Sequence, residues 1–140
     1  MLNQLSIYLP NKPGVLANFF ELLMNNKISI RSMTVAETEE YGLLLLLVDQ
    51  FEACSKLLEE KDFLFSVTQV VAVRLTNNIS KLYEIAKTLG SNNVNIEYLY
   101  TTLIDDQALI VLRLDNNQVG AKILKENGFT IVDKLLNVID

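Results

Sequence analysis

The sequence predicts an α+β fold in which one βαββαβ unit occurs twice in tandem. Three observations predict it: a gapless internal repeat at a shift of 66 residues, period-two apolar alternation where each copy opens, and helical apolar spacing between the alternating segments. The expected division is residues 1–66 for the first copy and 67–140 for the second.

The repeat is visible in its aligned pairs. Asn11 aligns with Asn77, Leu16 with Leu82, Leu23 with Leu89 and Asn26 with Asn92. Ile30 aligns with Ile96, Leu43 with Leu109, Leu46 with Leu112 and Asp49 with Asp115. Lys56, Leu58, Glu60 and Phe63 meet Lys122, Leu124, Glu126 and Phe129. These identities are spread evenly over the whole copy, which a chance match of one segment would not give.

Each element can then be read once and checked in its twin. Leu5, Ile7 and Leu9 alternate with polar residues and predict a half-buried strand, repeated by Val71, Val73 and Leu75. Pro10-Asn11-Lys12-Pro13-Gly14 is a turn signal. Val15, Leu16, Phe19, Phe20, Leu22 and Leu23 follow with helical spacing, and Asn25-Asn26 end that helix. In the second copy Leu82, Ile85, Ala86 and Leu89 form the stripe, and Gly90 is the expected stop. Ile28-Ser29-Ile30 and Val94-Asn95-Ile96 open the second strand of each copy. Polar hairpins lie at Glu37 to Tyr41 and at Asp105-Asp106, and apolar third strands run through Gly42–Val48 and Ala108–Leu114. A second helix is expected at Phe51–Glu60 and Gln118–Asn127, then a last strand from Phe63 and from Phe129. Strand, helix, strand, strand, helix, strand is the split βαβ, or ferredoxin-like, arrangement. Right-handed crossovers place the first and third strands of each copy at the centre and both helices on one face. No Gly, Pro or Ser cluster separates the copies, so a rigid pseudo-twofold pair is expected in place of two mobile domains.

Composition narrows the function. Half the residues are hydrophobic and 21% are charged, which suits a globular core. The 12 Lys and Arg are scattered among 17 Asp and Glu, for a net charge of −5. That balance speaks against nucleic acid and anionic membrane as partners. The longest apolar run, Leu43–Val48, is far shorter than the roughly 20 residues a span needs. The single Cys54 permits no internal disulfide and fits a cytoplasmic setting. With no His in the chain, Cys–His and Ser–His–Asp catalysis and His-ligated metals are excluded. Cys54 therefore reads as a packing residue. No cofactor is expected.

The segment best suited to chemistry is Asn11-Lys12-Pro13-Gly14-Val15-Leu16. Pro13 sets φ near a helix start, Gly14 lets a ligand approach the backbone, and the first helical turn offers unpaired N–H groups to a carboxylate. The same residues also fit an ordinary turn with Asn11 as a helix cap. Tyr98 and Tyr100 share one strand face, with strand packing the plainer reading. Arg31 and Glu97 hold equivalent positions and read either as a pair or as two solvated charges. The hairpin carboxylates Glu37, Glu39, Glu40, Asp105 and Asp106 read as solvated.

A strand, then Asn-x-Pro-Gly-Val-Leu, a helix, and an Ile-Ser-Ile or Val-Asn-Ile strand resembles the ACT family, once per copy. The resemblance implies tandem regulatory ACT repeats that bind an amino acid or similar small carboxylate at a domain interface, without catalysis. Carried over residue by residue, the ligand loop is Asn11, Lys12, Pro13, Gly14, Val15 and Leu16. The Asn common at the second strand of the family is Asn95 in the second copy and Ser29 in the first. The second-copy loop, beginning Asn77-Asn78, departs from the pattern because it lacks both Pro and Gly. The intact loop of one copy and the intact Asn of the other imply one composite site from Asn11–Leu16 and Asn95. A homodimer, and a metabolic enzyme as the regulated partner, are the associations the resemblance implies. The alternative is an interaction module that assembles without ligand.

Overall fold

The computed structural model describes residues 1–37, 41–76 and 79–135. Eleven elements follow in order among them: β1 (Leu2–Pro10), α1 (Val15–Asn25), β2 (Ile30–Glu37), β3 (Tyr41–Val48), α2 (Phe51–Glu60) and β4 (Leu64–Arg74). Then come α3 (Ile79–Ser91), β5 (Ile96–Ile104), β6 (Gln107–Leu114), α4 (Asn117–Glu126) and β7 (Ile131–Val132). The chain divides into two units, Asn3–Thr68 and Gln69–Asp140 with Met1–Leu2, and the boundary falls inside β4.

In the first unit the strand order is β2-β3-β1-β4, so β1 and β3 are central as expected from right-handed crossovers. β1 pairs antiparallel with β3, placing Leu5 opposite Leu46 and Leu9 opposite Gly42. The period-two alternation puts Leu5, Ile7, Leu9, Leu44, Leu46 and Val48 on the helix-facing side. Phe19 and Leu23 of α1 and Cys54, Leu57 and Leu58 of α2 close the core from above. β1 is covered on both faces: Gln4 and Ser6, expected on a solvated face, are buried too.

The second unit repeats the order as β5-β6-β4, with β7 on the other side of β4. Val71 pairs with Leu112 and Val73 with Ile110, and Val73 also pairs with Ile131. Val71, Val73, Ile110, Leu112 and Leu114 form the sheet side of the core, covered by Ile85, Leu89 and Leu124.

The repeat extends to individual hydrogen bonds. The Ile28 N–H donates to Leu23 O at 3.0 Å and the Val94 N–H to Leu89 O at 2.9 Å. The Asn26 side chain donates to Leu22 O, and Asn92 does the same to Thr88 O, both at 2.8 Å. Lys27 and Asn93 share a left-handed backbone, with φ of 56° and 59°. That pair corrects one expectation. Gly90 does not end its helix. α3 runs through it to Ser91, because the Asn92 side chain and left-handed Asn93 supply the stop. The last strand begins at Ile131, two residues beyond Phe129. The expected continuation through Leu136 to Ile139 and the hairpin residues Glu39 and Glu40 lie outside the described residues.

Candidate functional site

The loop between β1 and α1 is built around one backbone angle. Gly14 has φ 86°, in the left-handed region, and is the residue that precedes the first turn of α1. That conformation is costly for a residue with a β-carbon and free for glycine. It breaks the path into the helix, so α1 begins only at Val15. In the second unit the equivalent of Gly14 is Ser80, which lies inside α3, a helix that already begins at Ile79. Losing Pro13-Gly14 therefore converts loop into helix at the same place in the repeat.

No side chain caps α1. The capping role open to Asn11 is thus not what Asn11 does, and Asn11 is exposed. The Val15 N–H donates to Lys12 O at 3.3 Å and the Asn18 N–H to Gly14 O at 3.0 Å. Among the described residues the N–H groups of Leu16 and Ala17 have no acceptor. They point out of the positive end of the helix, where a carboxylate is stabilised.

All six loop residues line one cavity of about 240 Å³, together with Leu9, Pro10, Val35, Gly42 and Leu44. Among the described residues of this lining Lys12 alone is charged, and it adds a positive side chain to a positive helix end. Its floor is apolar and comes from β1 and β3, where Leu9 stands opposite Gly42. A β-carbon on Gly14 would meet no atom of the described residues within 4 Å. The space in front of Gly14 is therefore open to a ligand. Val35, Gly42 and Leu44 were not visible as site residues in the sequence, since only strand pairing brings them to the loop.

Ser29 does not join this cavity. It sits past the far end of α1 and lines a separate, shallow depression with Phe20, Met24 and Lys27. Its backbone is occupied: the Ser29 N–H donates to Asp49 Oδ1 at 2.9 Å, and its carbonyl accepts from the Asp49 N–H at 3.1 Å. Asn95 belongs to the second unit and has the same backbone arrangement with Asp115; its side chain is exposed, with no hydrogen-bond partner among the described residues. Asn77 and Asn78 lie outside the described residues.

The remaining candidates resolve as structure. Cys54 is fully buried in the core, and burial, with Asp49 adding to it, pushes its thiol up to about 11. Such a thiol is a poor nucleophile at neutral pH. Glu97 pairs with Arg113 Nε on the neighbouring strand at 3.2 Å. Tyr98 and Tyr100 are half-buried, and burial raises the Tyr100 hydroxyl well above its ordinary range. No group of three or more acidic, Cys or His residues able to hold a metal occurs among the described residues. No described helix is long and apolar enough to cross a membrane.

Two βαββαβ units of identical strand order define a duplicated ferredoxin-like module with a ligand-sized cavity at one helix start. Residues 1–139 match the family described as the ACT domain pair, and the chain belongs to that family. No curated protein matches the sequence. Among solved structures, a protein from Bacteroides thetaiotaomicron is similar, with 29% identity, a TM-score of 0.87, and coverage of 94% of this chain and 91% of that one. The ligand-free regulatory subunit of aspartate kinase from Thermus thermophilus has the same fold at 15% identity and a TM-score of 0.59, covering 90% and 92%. The corresponding subunit from Thermus flavus does so at 15% identity and 0.57, covering 89% and 90%.

Proposed function

We propose that this chain is a non-catalytic regulatory protein that binds an amino acid or a similar small carboxylate at the Asn11–Leu16 loop. The observation that carries the reading is the left-handed Gly14, which leaves the Leu16 and Ala17 N–H groups without acceptors beside a cavity of about 240 Å³. Membership of the ACT domain pair family supports the ligand class. The carboxylate takes the helix N–H groups and Lys12, and an apolar side chain takes Leu9, Val35 and Leu44. The regulated partner, on this reading, is a metabolic enzyme, and the chain works as a homodimer.

The test is thermal unfolding with each common amino acid at millimolar concentration. A ligand present at 100 times its dissociation constant adds about 2.7 kcal/mol of stability. No shift with any amino acid would reject the reading.

A second reading, an interaction module that assembles without ligand, is favoured by one observation. α3 begins at Ile79 and takes Ser80 into the helix, so the second unit has no counterpart of the Gly14 break. A chain whose stability responds to no amino acid but depends on its own concentration would favour this second reading.

A further inference from the structure

The first unit holds another cavity, of about 440 Å³, on the side of α1 that faces the start of β4. Its floor is buried Phe19 with Phe63 packed edge-to-face against it at 5.6 Å. Val15 forms a wall, and Tyr8, Asn18 and Asp62 are the lining residues whose side chains carry polar atoms. Neither the Asn18 nor the Asp62 side chain has a hydrogen-bond or ion-pair partner among the described residues. Among the described residues no cationic one lines the space.

The second unit shows what this position does when it is filled. Val15 is replaced there by Lys81, Asn18 by Glu84 and Phe63 by Phe129. Lys81 Nζ lies over the Phe129 ring, 5.7 Å from its centroid, and pairs with Glu84 Oε2 at 3.2 Å. The backbone at the ring is held alike in both units, since the Phe63 N–H donates to Leu58 O at 2.9 Å and the Phe129 N–H to Leu124 O at 3.0 Å, although the lining also differs at Tyr8, Pro10, Asp62 and Leu64, which are Arg74, Thr76, Gly128 and Thr130 there. The second unit thus carries its own alkylammonium group on the aromatic ring. The first unit has the ring and a carboxylate but no cation.

The carboxylate also stands where it is not conformationally favoured. Asp62 has φ 59°, while its counterpart Gly128 has φ 87°. Glycine is the unstrained choice at such an angle, and an Asp there adds a charge at a backbone cost.

We propose that this cavity binds a small alkylammonium ion, with the cationic head over the Phe63 ring and against Asp62 and the apolar stem along Val15 and Phe19. Attraction of a cation to the ring face and to the carboxylate supplies the selectivity for charge. The cavity shares Leu9, Pro10 and Val15 with the one at the Asn11–Leu16 loop, but Asp62 and Phe63 line this one alone, so its failure would leave that reading intact.

The experiment is an NMR titration of the ¹⁵N-labelled chain at neutral pH with n-pentylamine, against n-pentanol as the uncharged isostere. The expected result is saturable shifts around Asp62 and Phe63 with the amine, and binding at least about threefold weaker for the alcohol. Asp62→Asn, which tolerates the left-handed backbone, should weaken the amine by at least about threefold and leave the alcohol unchanged. Val15→Lys combined with Asn18→Glu rebuilds the internal lysine of the second unit and should abolish the shifts. Absence of saturable shifts in the wild type, equal binding of amine and alcohol, or unchanged amine binding by Asp62→Asn would each overturn the proposal.

Discussion

Asp115 and Asn95 hold each other twice. The Asn95 N–H donates to Asp115 Oδ1 and the Asp115 N–H donates back to the Asn95 carbonyl, both at 3.0 Å. Asp49 and Ser29 form the same pair of bonds in the first unit. The bonds tie the entry of the second strand to the end of the third, across the sheet edge where Ile30 meets Val48 and Ile96 meets Leu114. Replacing either Asp with Ala leaves a backbone N–H without its acceptor. Asp49→Ala should cost about 1–2 kcal/mol, because Ser29 is partly buried, and Asp115→Ala somewhat less. Urea unfolding measures both, and equal stability of Asp49→Ala and wild type would contradict the role.

Gly14 separates folding from binding. Gly14→Ala forces a β-carbon into a left-handed backbone and should cost about 1 kcal/mol, with the fold retained. Its β-carbon meets no atom of the described residues within 4 Å, so a loss of ligand response is read at the cavity in front of it. A bulkier Gly14→Val should abolish amino-acid-induced stabilisation, read as the difference in melting temperature with and without ligand. The composite site expected from the sequence adds Asn95→Ala as a second probe. Full ligand response in Asn95→Ala would remove Asn95 from the site.

Two other glycines make opposite predictions. Gly120 lies buried in α4, where an added β-carbon would run into Leu114 Cδ1. Gly120→Ala should destabilise by up to about 2 kcal/mol, with overpacking against Leu114 offset by about 1 kcal/mol of helix propensity. Gly90 sits in α3 with nothing near its missing β-carbon, so Gly90→Ala should stabilise by up to about 1 kcal/mol. Equilibrium unfolding of the two single variants should give shifts of opposite sign.

Cys54 gives a pH signature. Its thiol ionises near 9.0 when unconstrained and is pushed up to about 11 in the fold. The folded state therefore keeps the proton that the unfolded chain releases. Stability from this group is full below about pH 9 and is lost as pH rises towards 11, by on the order of 2 kcal/mol. Tyr100, raised in the same direction, adds to the alkaline loss, so Cys54→Ala isolates the thiol by difference. The variant should show a shallower decline between pH 9 and 11. A thiol reagent should label wild-type Cys54 at neutral pH only as fast as the core opens.

What the sequence alone determined was the unit and its duplication. Period-two and helical patterns are local, so Leu5, Ile7, Leu9, Phe19 and Leu23 announced their faces without any knowledge of their partners. The handedness of crossovers then set the strand order of both units. The Pro13-Gly14 loop was legible too, since those residue types carry their backbone preference with them. The tertiary structure decided the rest. Strand register put Gly42 opposite Leu9 and so made the cavity floor. The φ of Gly14, set against an α3 that starts two positions earlier in the repeat, decided that the two loops differ in shape as well as in composition. Lys81 over Phe129 became readable only once the helix and the following strand were packed together. A site is made of residues distant in sequence, and their meeting depends on register and packing, which no local pattern encodes.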